Sequence, residues 1–174
     1  MLPVEVLILA VLLLIFVQDM MSRSVYWALF PLLAILFILL RLLSHQYFAD
    51  IGQSTLINLS FLAIQLLLVS AYFSLKKGWW VNITAGLLGW GDVLFLLCSA
   101  VYLSVLNFFL FYLLSLLTAL LFWLTVQLIV NKKSRQIPLA GLQALFLAVC
   151  LAGDWWLMSV NLTDDTWLLH FILK

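Results

Sequence analysis

Residues 107–130 read NFFLFYLLSLLTALLFWLTVQLIV, an unbroken run without a single charge. A helix crosses the hydrocarbon core of a bilayer with about 20 apolar residues, so this run is long enough to span. Working outward, Leu2–Val17, Tyr26–Leu43, Thr55–Leu75, Leu87–Leu103 and Ile137–Met158 are further apolar stretches separated by short polar loops. Backbone groups in lipid must satisfy one another, and the alternation of a membrane barrel is absent, so all of these are expected as helices. The expected fold is all-α: a polytopic membrane protein with about six transmembrane helices, forming one membrane-embedded domain over residues 1–174. The end of the chain, Trp167-Leu-Leu-His-Phe-Ile-Leu, is too short to span and is expected along the interface.

Composition supports lipid as the main solvent. The chain is 67% hydrophobic and 9% charged, with a mean hydropathy of +1.25, which leaves too little polar surface to cover a soluble globule. A net charge of +1 gives no reason to expect nucleic acid. Cys98 and Cys150 both fall in apolar stretches and read as small buried hydrophobes, not as a disulfide or a metal pair. The start, Met1-Leu-Pro-Val-Glu5, lacks a basic leader region, so the first stretch is expected to remain as a membrane helix.

Loop charges set an expected orientation. The first, third and fifth loops hold Arg23, Lys76, Lys77, Lys132, Lys133 and Arg135, whereas the other loops and the tail hold Arg41 and Lys174. The positive-inside rule then places the odd loops in the cytoplasm and both termini outside. Trp79 and Trp80 suit an inner aromatic belt, and Trp155, Trp156 and Trp167 an outer one. On this topology Asp19, closing the first stretch, and Asp92, opening the fourth, fall on the same face at similar depth.

Such a pair has a chemistry. Two carboxyls within reach of one water do not comfortably both ionise, so one keeps a proton near neutral pH. The ionised partner takes a proton from water while the protonated one polarises a carbonyl. No metal, cofactor or nucleophilic side chain is needed. In Gly89-Trp90-Gly91-Asp92, the glycines would let backbone approach an extended substrate beside Asp92. The blander alternative makes Asp19 a polar stop at a helix end and Asp92 an N-terminal helix cap. Gly153-Asp154 repeats the Gly-Asp pair, but on the opposite face, and reads as a helix end. His45 and His170 have no companions at ligand spacing, and no cytoplasmic histidine stands ready to activate a serine. The sequons at Asn58, Asn82 and Asn161 read as chance.

These residues resemble a known family, the type IV prepilin peptidases with the related archaeal preflagellin peptidases. Asp19-Met-Met-Ser-Arg23-Ser-Val25 followed by Pro31 resembles the family's first aspartate region. Gly89-Trp90-Gly91-Asp92 matches its Gly-x-Gly-Asp, and Ile137-Pro138-Leu-Ala-Gly141 resembles its Ile-Pro-rich stretch before the last helix. Two departures stand out: Val25-Tyr26-Trp27 replaces an Ile-Pro-Asn, and Leu94 replaces a common lysine. The Cys-x-x-C insert of longer members is absent, so the resemblance implies the short, peptidase-only form without methylating activity. It implies a cytoplasmic-face aspartic endopeptidase of the cell membrane that removes basic leaders from prepilin or pseudopilin precursors. Asp19 and Asp92 would be catalytic; Gly89, Gly91, Arg23 and Pro138 would support substrate approach.

Two rivals remain open. Presenilin-like proteases also carry Gly-x-Gly-Asp, but their chains are longer and their Pro-Ala-Leu motif is absent here in order. A non-catalytic transporter or assembly subunit could use paired acids for a proton or cation. Against it, Gln65 and Gln127 are the only deep polar candidates to continue a path.

Overall fold

A computed structural model describes residues 1–77, 89–130, 138–158 and 160–172. Among the described residues seven α-helices run in order: α1 (Leu2–Ser22), α2 (Leu29–Leu43), α3 (Phe48–Lys77), α4 (Trp90–Tyr102), α5 (Val105–Val130), α6 (Leu139–Gly153) and α7 (Thr166–Ile172). A π-helical turn, Asp154–Met158, extends α6. This is a helical membrane protein: α1, α3, α5 and α6 with its extension are long and apolar enough to cross a bilayer. The other two apolar helices are shorter. At 1.5 Å per residue α2 reaches about 22 Å and α4 about 20 Å, less than the full hydrocarbon thickness.

The expected boundaries shift for local reasons. The apolar run ends at Val17, yet α1 continues another turn, so Asp19 lies inside a helix and not at its close. The helix stops only where Arg23 turns left-handed (φ 53°) and donates its N–H to Asp19 O at 2.9 Å. Gln18 Oε1 then accepts Tyr26 N–H at 2.9 Å, folding the chain back toward α2. At the other side, α4 begins at Trp90, three residues later than the apolar count expects.

Packing is organised around α4 and α6. α6 lies against α1, α4 and α5, while α4 lies against α2, α3 and α6; α1 also packs on α2. Thus α2 and α6 each bridge the two helices that carry the aspartates. Only 11% of the apolar window of α3 is buried inside the bundle, against 44% for that of α6. α3 is therefore a peripheral, lipid-facing helix, and α6 a central one. The shared core comprises Ile8, Leu12, Ile15, Phe30, Leu33, Phe37, Phe95 and Leu147 among others, all within a few per cent of complete burial. Phe37 stacks on Tyr102 at 4.7 Å, joining α2 to α4.

Where apolar packing gives no direction, polar pairs set register. Asn58 is buried in α3 and its Nδ2 donates to Ala100 O and Leu103 O, at 3.0 and 2.9 Å. These carbonyls belong to the last turn of α4, which has no partners of its own for them. Asn58→Ala should lower stability by about 1–3 kcal/mol, because two buried carbonyls lose their donor. Unfolding of the micellar protein by denaturant titration reads this, and an unchanged midpoint would sink it. The same burial excludes Asn58 as a glycan acceptor, in keeping with the chance reading; Asn82 lies outside the described residues.

Arg41 corrects an expectation. It is not a loop charge: it sits 3% exposed in the last turn of α2. Its Nε donates to Gln46 Oε1 at 2.7 Å, and its Nη1 to Val101 O at 2.8 Å and Ser54 Oγ at 3.2 Å. Gln46 Nε2 in turn donates to Thr163 Oγ1 at 2.6 Å. One guanidinium thereby ties α2, α3, α4 and the tail together. The tail is also held by Asp165, whose Oδ1 accepts Ser104 Oγ at 2.6 Å and Leu106 N–H at 3.1 Å at the start of α5. Asp154 does serve a helix end, accepting Asn161 N–H at 2.6 Å. Cys98 and Cys150 are both unbonded thiols; Cys98 is buried and donates to Phe30 O at 3.1 Å, while Cys150 is half-buried. Lys132, Lys133, Arg135, Trp79, Trp80 and Ile137 lie outside the described residues.

Candidate functional site

Asp19 and Asp92 come together at the first turn of α6. Asp19 lies three residues before the end of α1, and Asp92 is the third residue of α4. α1 and α4 both pack on α6, whose helix begins at Leu139 after Pro138. Pro138 suits this place because a helix start needs no N–H there. The first-turn amides of α6 have no intrahelical partners, and one of them, that of Gly141, is directed at Asp19.

Gly141 N–H donates to Asp19 Oδ2 at 2.6 Å, within the buried interface of α1 and α6. Asp19 is 7% exposed, so this amide is its main visible support. Asp92 accepts an N–H from Gly89 at 3.2 Å to Oδ2. Asp92 also lies within electrostatic range of Asp19. The start of α6 thus holds Asp19 through the Gly141 amide, with the positive end of the α6 dipole facing that carboxyl. Asp92 is the more open of the two, being half-buried.

The remaining predicted residues take varied places. Gly89 is the N-cap of α4 and is exposed. A Cβ there would lie 3.0 Å from Asp92 Oδ2, so its bareness makes room for the Asp92 carboxylate itself. The capping alternative is therefore physically present at Asp92 alongside its pairing with Asp19. Gly91 has no such need: a Cβ would meet only Phe30 Cζ, at 3.8 Å. Arg23 is exposed and ends α1, close in sequence to Asp19 but with no described bond to either carboxyl. Pro138 is the N-cap of the helix whose Gly141 amide serves Asp19.

Sequence reasoning missed two residues. Gly141 was visible only as part of an Ile-Pro-Leu-Ala-Gly stretch, not as the partner of Asp19. Gln143, two residues on, is completely buried; its Nε2 lies 3.4 Å from Ser115 Oγ, and its Oε1 has no partner among the described residues. The two glutamines expected to be the deep polar groups, Gln65 and Gln127, are both half-buried instead. Among the described residues no group of His, Cys, Asp and Glu could hold a metal ion. Comparison with family models, with curated proteins and with solved structures finds no match for this chain.

Proposed function

We propose that the chain is a membrane aspartic endopeptidase in which Asp19 and Asp92 activate water, resembling the short type IV prepilin peptidases. The observation that carries this reading is the placement of the two carboxyls on α1 and α4, which both pack on α6, with Asp19 held by the Gly141 amide at the α6 start. One ionised carboxylate removes a proton from water, and the resulting hydroxide attacks the scissile carbonyl. The other carboxyl, protonated, donates to the carbonyl oxygen as it becomes tetrahedral. Collapse breaks the C–N bond, and the proton gained from water passes to the leaving amine. Neither a metal nor a cofactor enters these steps.

The proposed substrate is a prepilin or pseudopilin precursor whose basic leader lies at the cytoplasmic face of the cell membrane. In the same proposal all six apolar helices cross the bilayer, α2 and α4 included, with both termini outside. With native cysteines removed, a membrane-impermeant maleimide added to intact cells should label Asp164→Cys and not Ser24→Cys. The reverse pattern would overturn the orientation.

The direct test is cleavage of a co-expressed prepilin by wild type, Asp19→Asn and Asp92→Asn, read as a mobility shift on a gel. Loss in both variants at wild-type membrane levels supports the pair; processing that survives in either one defeats it. A second reading, a proton or cation carrier, is favoured by the buried Gln143–Ser115 pair just beyond the carboxyls. It requires ion flux into vesicles that is lost with either aspartate and with Gln143→Leu.

A further inference from the structure

We infer that Gly141 is a positioning residue: its amide and its missing side chain together set where the Asp19 carboxylate stands relative to Asp92. This rests on the peptidase reading of the pair, although its geometry does not. Three observations converge. The Gly141 N–H···Oδ2 bond to Asp19 is 2.6 Å long and buried, so no water competes for that oxygen. A Cβ built on Gly141 would lie 3.0 Å from Asp19 Cβ, 3.1 Å from its Oδ2 and 3.2 Å from Phe16 O. α6 also packs against α4, the helix that carries Asp92.

The consequence is a fixed spacing. α6 packs on both α1 and α4, so holding Asp19 on its first turn fixes where that carboxyl stands relative to α4 and Asp92. Any side chain at position 141 presses on Asp19 and on the α1 backbone at Phe16, and the neighbour must give by a few tenths of an ångström. Such a displacement barely alters burial, but proton transfer between a carboxylate and a water is sensitive to it, and misplacements near 1 Å cost as much as about a hundredfold in rate.

Gly141→Ala is the test, with Gly153→Ala as its control on the same helix, where a Cβ would meet nothing within 4 Å. Alanine favours an α-helix over glycine, so both variants should fold to wild-type levels. In detergent with a purified prepilin, Gly141→Ala should lower kcat at least about tenfold with KM little changed, whereas Gly153→Ala should match wild type. Infrared difference spectra against Asp19→Asn should show the Asp19 carboxylate band displaced in Gly141→Ala and unmoved in Gly153→Ala. Wild-type kcat and an unmoved band in Gly141→Ala would overturn the inference, as would activity lost only in proportion to folded protein. If wild type cleaves no prepilin, the peptidase reading fails and the infrared band alone decides the role of Gly141.

Discussion

Replacing Asp19 or Asp92 by asparagine is expected to lower kcat for prepilin cleavage about a thousandfold or more, and the double variant should be no slower than either single one. Asparagine keeps the size of the carboxyl and still offers an oxygen to Gly141 N–H or to Gly89 N–H, so the helix contacts survive. What is lost is the ability to take up and release a proton, which general acid–base catalysis supplies at about a hundred- to ten-thousandfold. Groups that act as one unit are strongly non-additive: once either member is gone, the other has little left to contribute. The measurement is single-turnover cleavage in micelles at equal folded concentration. Activity within tenfold of wild type in either variant would remove that residue from the chemistry. Multiplicative losses in the double variant would mean two carboxyls acting separately, against their shared place on α6.

Arg41→Ala is expected to lower stability by about 3 kcal/mol or more without changing kcat of the protein that remains folded. The change strips donors from Gln46 Oε1, Ser54 Oγ and Val101 O together, and a buried polar group left unpaired costs about 1–3 kcal/mol. Arg41→Lys should recover only part of this, because an ammonium on a flexible stem does not reproduce the planar fork that reaches three acceptors. Arg41 lies near the C-terminal end of α2, whereas Phe30, beside Gly91, lies near its start. The arginine network and the aspartate pair therefore occupy opposite ends of the bundle, and loss at one should not be read out as chemistry at the other. Denaturant titration in micelles, paired with cleavage per folded molecule, separates the two effects. A midpoint within about 0.5 kcal/mol of wild type would show that the network contributes little.

The helices were legible in hydropathy and their ends were not. Apolar runs locate α1, α5 and α6 because burying a backbone in lipid leaves few alternatives to a helix. The same runs place Asp19 outside α1, since a count of apolar residues ends at Val17. Helix propensity does not end there: Gln18, Asp19, Met20 and Met21 continue the turn, and a left-handed Arg23 stops it. Arg41 shows the converse error. Positive charge near an apolar edge reads as loop, yet here the buried guanidinium donates to oxygens from three other segments.

Asp19 and Asp92 could be singled out from the sequence because a carboxylate in so apolar a chain is costly unless something receives it. Gly141 and Gln143 could not be, since a glycine and a glutamine in an apolar stretch carry no comparable penalty and no period marks them. By itself, the sequence determined that this chain is a helical membrane protein with two conspicuous acids: composition and period decide how each segment meets lipid. Only the tertiary structure decided that α6 lies between α1 and α4 and presents the Gly141 amide to Asp19. Side-by-side packing of helices distant in the chain rests on shape and on single polar contacts, which leave almost no trace in hydropathy.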